Sequence, residues 1–200
     1  MENLLYITSS LFGEQGQSSQ LSRAFVDTLS VAYPNLTVTH RDLSAEPVPH
    51  LDYTGFSAFT VAEAERTETQ RAVVALSDAL IDEWRNADRV VIALPLYNLG
   101  VPSAFKAYID HIARAGQTFR YTKNGPLGLL EDRKVYVVAT RGGVYAGGPM
   151  DTQSDFIRHI LGLIGIKDIE FIYAEGLNTG EESAARALAE ARDQLQSKAA

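Results

Sequence analysis

Two short runs of this chain, Val90–Leu94 (VVIAL) and Val135–Ala139 (VYVVA), are apolar at every position. A strand with one wet face alternates apolar and polar side chains, so an unbroken apolar run belongs in a sheet covered on both sides. β-rich runs of this kind recur along the chain, at Leu4–Thr8, Leu36–His40, Arg89–Leu94, Lys134–Thr140 and Ile169–Ala174. Between them the apolar period changes from two to three or four. Val73, Leu76, Leu80 and Trp84 share one helical face in Thr67–Ala87, and Thr67 with Gln70 is placed to form a capping box at its start. Phe105, Tyr108 or Ile109, and Ile112 repeat the spacing after Pro102. Phe156, Ile160 and Leu163 do so before Gly165, a C-terminal cap, and Ala184, Leu188, Ala191 and Leu195 do so in the last segment. Strand and helix alternating five times imply right-handed crossovers and an open, doubly wound α/β sheet. The expected order is 2-1-3-4-5, with a ligand at the carboxyl ends of strands 1, 3 and 4. With no repeat or linker in sight, residues 1–200 are read as one domain.

The residue inventory narrows the chemistry. There is no cysteine, so disulfides, thiolate metal sites and cysteine nucleophiles are excluded. The net charge of -7 argues against binding nucleic acid or an anionic membrane surface. The N-terminus, MENLLYITSS, lacks the basic region and apolar length of a signal peptide, and no run of about 18 apolar residues occurs. A cytoplasmic protein is expected. The four histidines lie far apart without a ligand-pair spacing, and His111, beside Asp110, is expected on a helix surface.

Three loops fall at the expected binding edge. The first, Ser9–Ser19, is rich in hydroxyls and glycine and has no Lys or Arg. It is neither a dinucleotide fingerprint nor a P-loop, yet backbone N–H groups, serine hydroxyls and a helix N-terminus can together hold a phosphate monoester. The second, Pro95–Pro102, carries Tyr97, which can pack on a ring, and Asn98, which offers donor and acceptor. The third, Thr140–Pro149, has four glycines within seven residues, letting backbone approach a ligand closely. A phosphate cradle, a ring-edge contact and a glycine-rich wall match the shape of FMN.

At these residues the chain resembles the bacterial FMN-dependent NADH azoreductases, also described as NADH:quinone oxidoreductases. The resemblance runs over essentially the whole chain. It is carried by SS-x(6)-QS at Ser9–Ser18, P-x-YN at Pro95–Asn98, ARAG-x-TFRYT-x-NGP at Ala113–Pro126, RGG at Arg141–Gly143 and AEG at Ala174–Gly176. It implies a flavodoxin-like fold and a flavin site. Ser10, Gly16, Gln17 and Ser18 would take the phosphate end. Leu96, Tyr97, Asn98 and Leu99 would meet the ring, and Thr140, Arg141, Gly142 and Gly143 would line its other side. The family often has methionine at Leu96, phenylalanine at Leu99, and serine at Gly16 and Thr140. The resemblance also implies a homodimer whose subunits share each pocket, with Thr118–Thr122 as a wall or lid that brings Arg120 and Tyr121 toward substrate. The activity implied is hydride transfer from NADH, through FMN, to small-molecule quinones and aromatic azo compounds in a ping-pong cycle. The alternative is a flavodoxin-type electron carrier, against which stand the segment between Pro47 and Thr67 and the long Gly116–Glu131 excursion.

Overall fold

The computed structural model describes residues 2–199. Its central sheet is parallel and five-stranded. The strands are β1 (Asn3–Thr8), β2 (Thr37–Asp42), β3 (Arg89–Pro95), β6 (Lys134–Thr140) and β7 (Ile169–Ala174), in the order β2-β1-β3-β6-β7. Setting aside a separate antiparallel hairpin, β4 (Phe119–Thr122) with β5 (Gly125–Gly128), this is the expected 2-1-3-4-5 order. The hairpin is what the Gly116–Glu131 excursion becomes.

The apolar runs divide between two cores, as their both-sided burial demands. Leu5, Ile7, Val90, Ile92, Leu94, Val135 and Val137 face one helical layer. It is formed by α3 (Glu68–Asn86), α4 (Ser103–Ile112) and α5 (Thr152–Ile164). Leu4, Tyr6, Val91, Ala93, Tyr136 and Val138 face α1 (Gln17–Ala32) and α6 (Glu181–Ala199). A short α2 (Tyr53–Ala58) fills the segment after β2. Among the described residues no helix is long and apolar enough to cross a membrane.

Several local expectations need correction. β2 begins and ends later than Leu36–His40, because its pairing to β1 runs from Thr37 opposite Asn3 to Asp42 opposite Thr8. As a half-covered edge strand it carries polar residues that conceal its end. The buried stripe of α3 keeps the expected Leu80 and Trp84 and adds Val74, Ser77 and Ile81, with Val73 and Leu76 at its flank. Ser77 can lie there because its hydroxyl donates to the His111 carbonyl at 2.7 Å. The deep stripe of α5 is likewise Ser154, Ile157, Leu161 and Ile164, which leaves Phe156 and Ile160 at its flank. His111 is not on the surface. It is 2% exposed, with Nε2 3.0 Å from the Pro49 carbonyl oxygen. Burial pushes its imidazole below the usual histidine range despite that carbonyl. It anchors the Pro47–Thr67 segment to α4.

The capping box holds: Thr67 Oγ1 accepts from Gln70 N–H at 3.2 Å, and Gln70 Oε1 accepts from Thr67 N–H at 3.0 Å. Gly165 ends α5 with φ +114°, a left-handed cap. A Cβ there would meet the Leu130 carbonyl oxygen at 2.5 Å, so the same glycine seats the chain leaving the hairpin.

Candidate functional site

The carboxyl edge of the sheet is built by the loops after β1, β3, β6 and β7. After β1 the chain turns sharply. Gly13, at φ +54°, donates its N–H to the Ser10 carbonyl at 3.0 Å and opens a single 3₁₀ turn. Gly16 then enters α1 in extended conformation, and no side chain caps the helix. The first N–H groups of α1 are therefore left for another acceptor. The hydroxyl oxygens of Ser18 and Ser19 are also buried without a partner. Buried hydroxyls left unpaired cost about 1–3 kcal/mol each, so the loop holds binding capacity it does not use internally. Gly16 is required by its neighbour: a Cβ would come 2.1 Å from Ser10 Oγ. With uncapped helix N–H groups, the unpartnered Ser18 hydroxyl and no cation among residues 9–19, the chemistry of the loop fits one phosphate monoester. The other flank of this loop does not. There a cavity of about 450 Å³ between α1 and β2 carries Glu14, Asp27 and Asp42 against Arg23 alone.

The loop after β3 is tied to this cradle. Tyr97 Oη accepts from Leu11 N–H at 3.2 Å and lies 3.3 Å from Ser10 Oγ. Tyr97 and Gly100 exchange backbone hydrogen bonds at 3.1 and 2.9 Å, closing a tight turn over Asn98 and Leu99. Both central residues are left-handed, with φ +50° and +61°. That suits asparagine, whereas leucine in this region stores about 1–2 kcal/mol. The turn is held from α5, where Thr152 Oγ1 donates to the Leu99 carbonyl and Gln153 Nε2 to the Pro95 carbonyl at 3.0 Å.

The glycine-rich loop is held from below by a buried ion cluster. Arg141 is 1% exposed. Its guanidinium donates to Asp151 at 2.7 Å, to Ser154 Oγ at 2.9 Å and to Glu175 at 3.1 Å. The same carboxylates collect the loop's own amides. Glu175 accepts from Tyr145 and Ala146 N–H at 2.8 and 2.9 Å, and Asp151 accepts from Gly147 N–H at 3.1 Å. Burial alone would raise the Asp151 carboxyl, but Arg141, the Gly147 amide and Ser154 hold it below the usual carboxylate range. The loop after β7 zips onto the one after β6: Gly176, Leu177 and Asn178 donate to the carbonyls of Gly143, Arg141 and Gly142. With those carbonyls occupied, the Gly142 and Gly143 N–H groups have no backbone partner among the described residues.

Between these loops lies a cavity of about 460 Å³, bounded by Leu96, Asn98 and Leu99 on one side, Gly142, Gly143 and Tyr145 on the other, and Asn178. Of the residues expected at the edge from sequence, Leu96, Asn98, Leu99, Gly142 and Gly143 meet here. Ser10, Gly16, Gln17 and Ser18 surround the helix entrance nearby. Tyr97 stands between the two groups. Thr140 is buried beneath the loop, where its carbonyl accepts from Leu96 N–H at 2.9 Å. Arg141 does not line the cavity: its side chain is spent in the core, and its backbone N–H and carbonyl pair with Ala174 and Leu177. Arg120 and Tyr121 are elsewhere. Their hairpin follows the C-terminus of α4 and is pinned to the last turn of α5, with Leu130 N–H donating to the Ile164 carbonyl at 3.0 Å. Both helices run against the strands, so the hairpin sits at the amino edge of the sheet, away from this chain's own cavity. Tyr121 is 78% exposed there. Asn178, Glu175 and Asp151 were not read from sequence as site residues. Glu175 lies in the AEG motif, but its partner is 34 residues away at Arg141, and spacing does not reveal such a pair.

Comparison with known proteins agrees with this geometry. The profile for a flavodoxin-like fold matches residues 2–199. An FMN-dependent NADH:quinone oxidoreductase of Alcanivorax borkumensis is 52% identical over 193 residues, covering 96% of this chain and 98% of its own. One from Cellvibrio japonicus is 52% identical over 189 residues, covering 94% and 95%. Among solved structures, an azoreductase from Bacillus anthracis superposes with TM-score 0.91 at 31% identity, over 100% of this chain and 99% of that one. An FMN-dependent NADH-azoreductase from the same species, solved with FMN, gives 0.90 at 25% identity, over 100% and 98%.

Proposed function

We propose, from the premise that this chain belongs to the flavodoxin-like fold family and is an FMN-dependent NADH oxidoreductase, that it reduces quinones and also cleaves aromatic azo bonds in a ping-pong cycle. The observation that carries the reading is the pairing, at one sheet edge, of unspent donors at the α1 entrance with the 460 Å³ cavity between the neighbouring loops. Bound FMN supplies a ring that accepts hydride from NADH and passes two electrons to an acceptor.

The chain's own part is to bind, orient and exclude. Ser10, Gly16, Gln17 and Ser18 hold the phosphate through hydroxyls and helix N–H groups. Leu96 to Leu99 border one side of the ring. Thr140 to Gly143 border the other, and the free N–H groups of Gly142 and Gly143 favour negative charge there. NADH and acceptor use the same open face in turn, so neither needs a separate site. A quinone takes one turnover, and an azo bond, needing four electrons to give two amines, takes two. The working unit is a homodimer in the cytoplasm, in which the partner's hairpin brings Arg120 and Tyr121 to the cavity that this chain's own hairpin does not approach. Partly exposed Leu127 and Leu129 on and beside the hairpin support such a contact. Purified protein loaded with FMN should oxidise NADH when menadione or methyl red is added. A flavin-loaded protein that turns over neither is not this enzyme.

A further inference from the structure

Reducing a quinone or an azo group takes protons as well as electrons, and the ring cavity contains one side chain able to give one. Of its lining residues only Tyr145 is titratable; Asn98, Asn178, the two leucines and the two glycines are not. We propose that Tyr145 is the proton donor to the bound acceptor, an inference that rests on the oxidoreductase reading above.

Its placement is built rather than incidental. A Cβ on Gly143 would fall 2.6 Å from Tyr145 Oη and 2.7 Å from Cζ, so the phenol lies directly on the Gly143 backbone at the cavity wall. From the other end, Tyr145 N–H is fixed to Glu175, and Glu175 to the buried Arg141 guanidinium. The glycine loop would otherwise be free to swing. Here its backbone is tethered on both sides of the tyrosine, by Gly176 N–H on the Gly143 carbonyl at 2.9 Å and by Ala146 N–H on Glu175 at 2.9 Å. No hydrogen-bond partner for the phenolic oxygen is found among the described residues, which leaves it available to a ligand. Tyr145 is partly exposed, so water can restore the proton.

The step balances. A quinone receives hydride, one hydrogen with two electrons, from the reduced cofactor. The oxyanion so formed takes the phenolic proton as the Tyr145 O–H bond breaks and the second O–H bond of the hydroquinone forms. Tyrosinate is then reprotonated by water.

The test is Tyr145→Phe in the FMN-loaded protein, with two acceptors. Menadione needs a proton; ferricyanide takes electrons alone. The expected result is a loss of about tenfold or more in the ratio of menadione to ferricyanide turnover, shrinking as pH falls and solvent substitutes, with each rate measured at saturating flavin. Affinity for 4-chlorophenol, read from the flavin absorbance, should weaken about fivefold as one hydrogen bond is lost. Gly143→Ala, which displaces the phenol, should reproduce the menadione defect. Equal losses with both acceptors, or no loss with menadione, overturn the proposal. So does a selective menadione loss in Tyr121→Phe with Tyr145→Phe unaffected, which would move the role to the partner's hairpin. Wild-type protein that binds FMN but reduces neither acceptor overturns the reading beneath it as well.

Discussion

The two ends of the candidate site are made stiff by opposite means. At the phosphate end, neighbours in sequence supply the donors: a glycine turn, a helix entrance and serines within eleven positions, Ser9 to Ser19, with two hydroxyls left unspent and Tyr97 as the outside tie. At the ring end, rigidity comes from long-range partners. Arg141 reaches Asp151 and Glu175, and those acids reach the amides of the loop above them. The first end holds free donors for a ligand at the expense of its own stability. The second spends its charged side chains internally, on one another and on the loop amides, and offers a shaped wall. Ligand affinity should therefore be vulnerable at the phosphate end and folding stability at the ring end.

The hardest blow to that contrast is Arg141→Met. It strands two buried carboxylates and should destabilise the protein by about 3–5 kcal/mol in urea unfolding. The double variant with Glu175→Gln should lose less than the sum of the singles. Strict additivity would mean that the cluster is not a unit. Ser18→Ala should do the converse. It removes an orphan hydroxyl, so the flavin-free protein should unfold no earlier, while FMN affinity should fall about tenfold or more through loss of a charge-assisted hydrogen bond. A variant that loses stability and keeps its affinity would reverse the assignment of the two ends.

Acid should separate them next. The folded Asp151 carboxyl is depressed, so its contribution is present above the ordinary carboxylate range and is lost as pH falls through the folded value. Below about pH 4, the amide of Gly147 should exchange hydrogen earlier than those of Ser10 to Ser18, which have no buried acid beneath them. Simultaneous exposure of both segments would count against a separate ring-end cluster. The smallest effect is expected at the turn between them. Leu99→Asn places a residue tolerant of φ +61° where leucine is strained, and should raise stability by about 0.5–1 kcal/mol, read as a Tm increase of a few degrees.

The same contrast explains what could be read from sequence. Sheet order followed from Val90–Leu94 and Val135–Ala139, because an all-apolar run has one physical meaning. The reading of the helix faces is one residue off in α5 and in the first turns of α3, where polar Ser154 and Ser77 occupy core positions, each satisfied by a partner distant in sequence. The hairpin was hidden because its strands are four residues each and mostly exposed, leaving no alternation to detect. The loop after β1 was legible as an anion site since its donors are contiguous. The loop after β6 was legible only as glycine-rich. That Arg141 turns inward, that Glu175 holds Tyr145, and that Asn178 closes the cavity depend on pairings that no local pattern encodes. Tyr97 was marked as a ring contact, while the observed work of its hydroxyl is to bind two loops together.

The absence of lysine and arginine from Ser9–Ser19 has a physiological side. A cradle made of dipoles displaces no counterions when a dianion arrives, and the surrounding net charge of -7 opposes the approach. Flavin loading should then hold steady, or improve, as ionic strength rises, and the pocket should not fill with the nucleotides and nucleic acids that a cationic cleft would attract. Selectivity here begins with what the loop declines to concentrate.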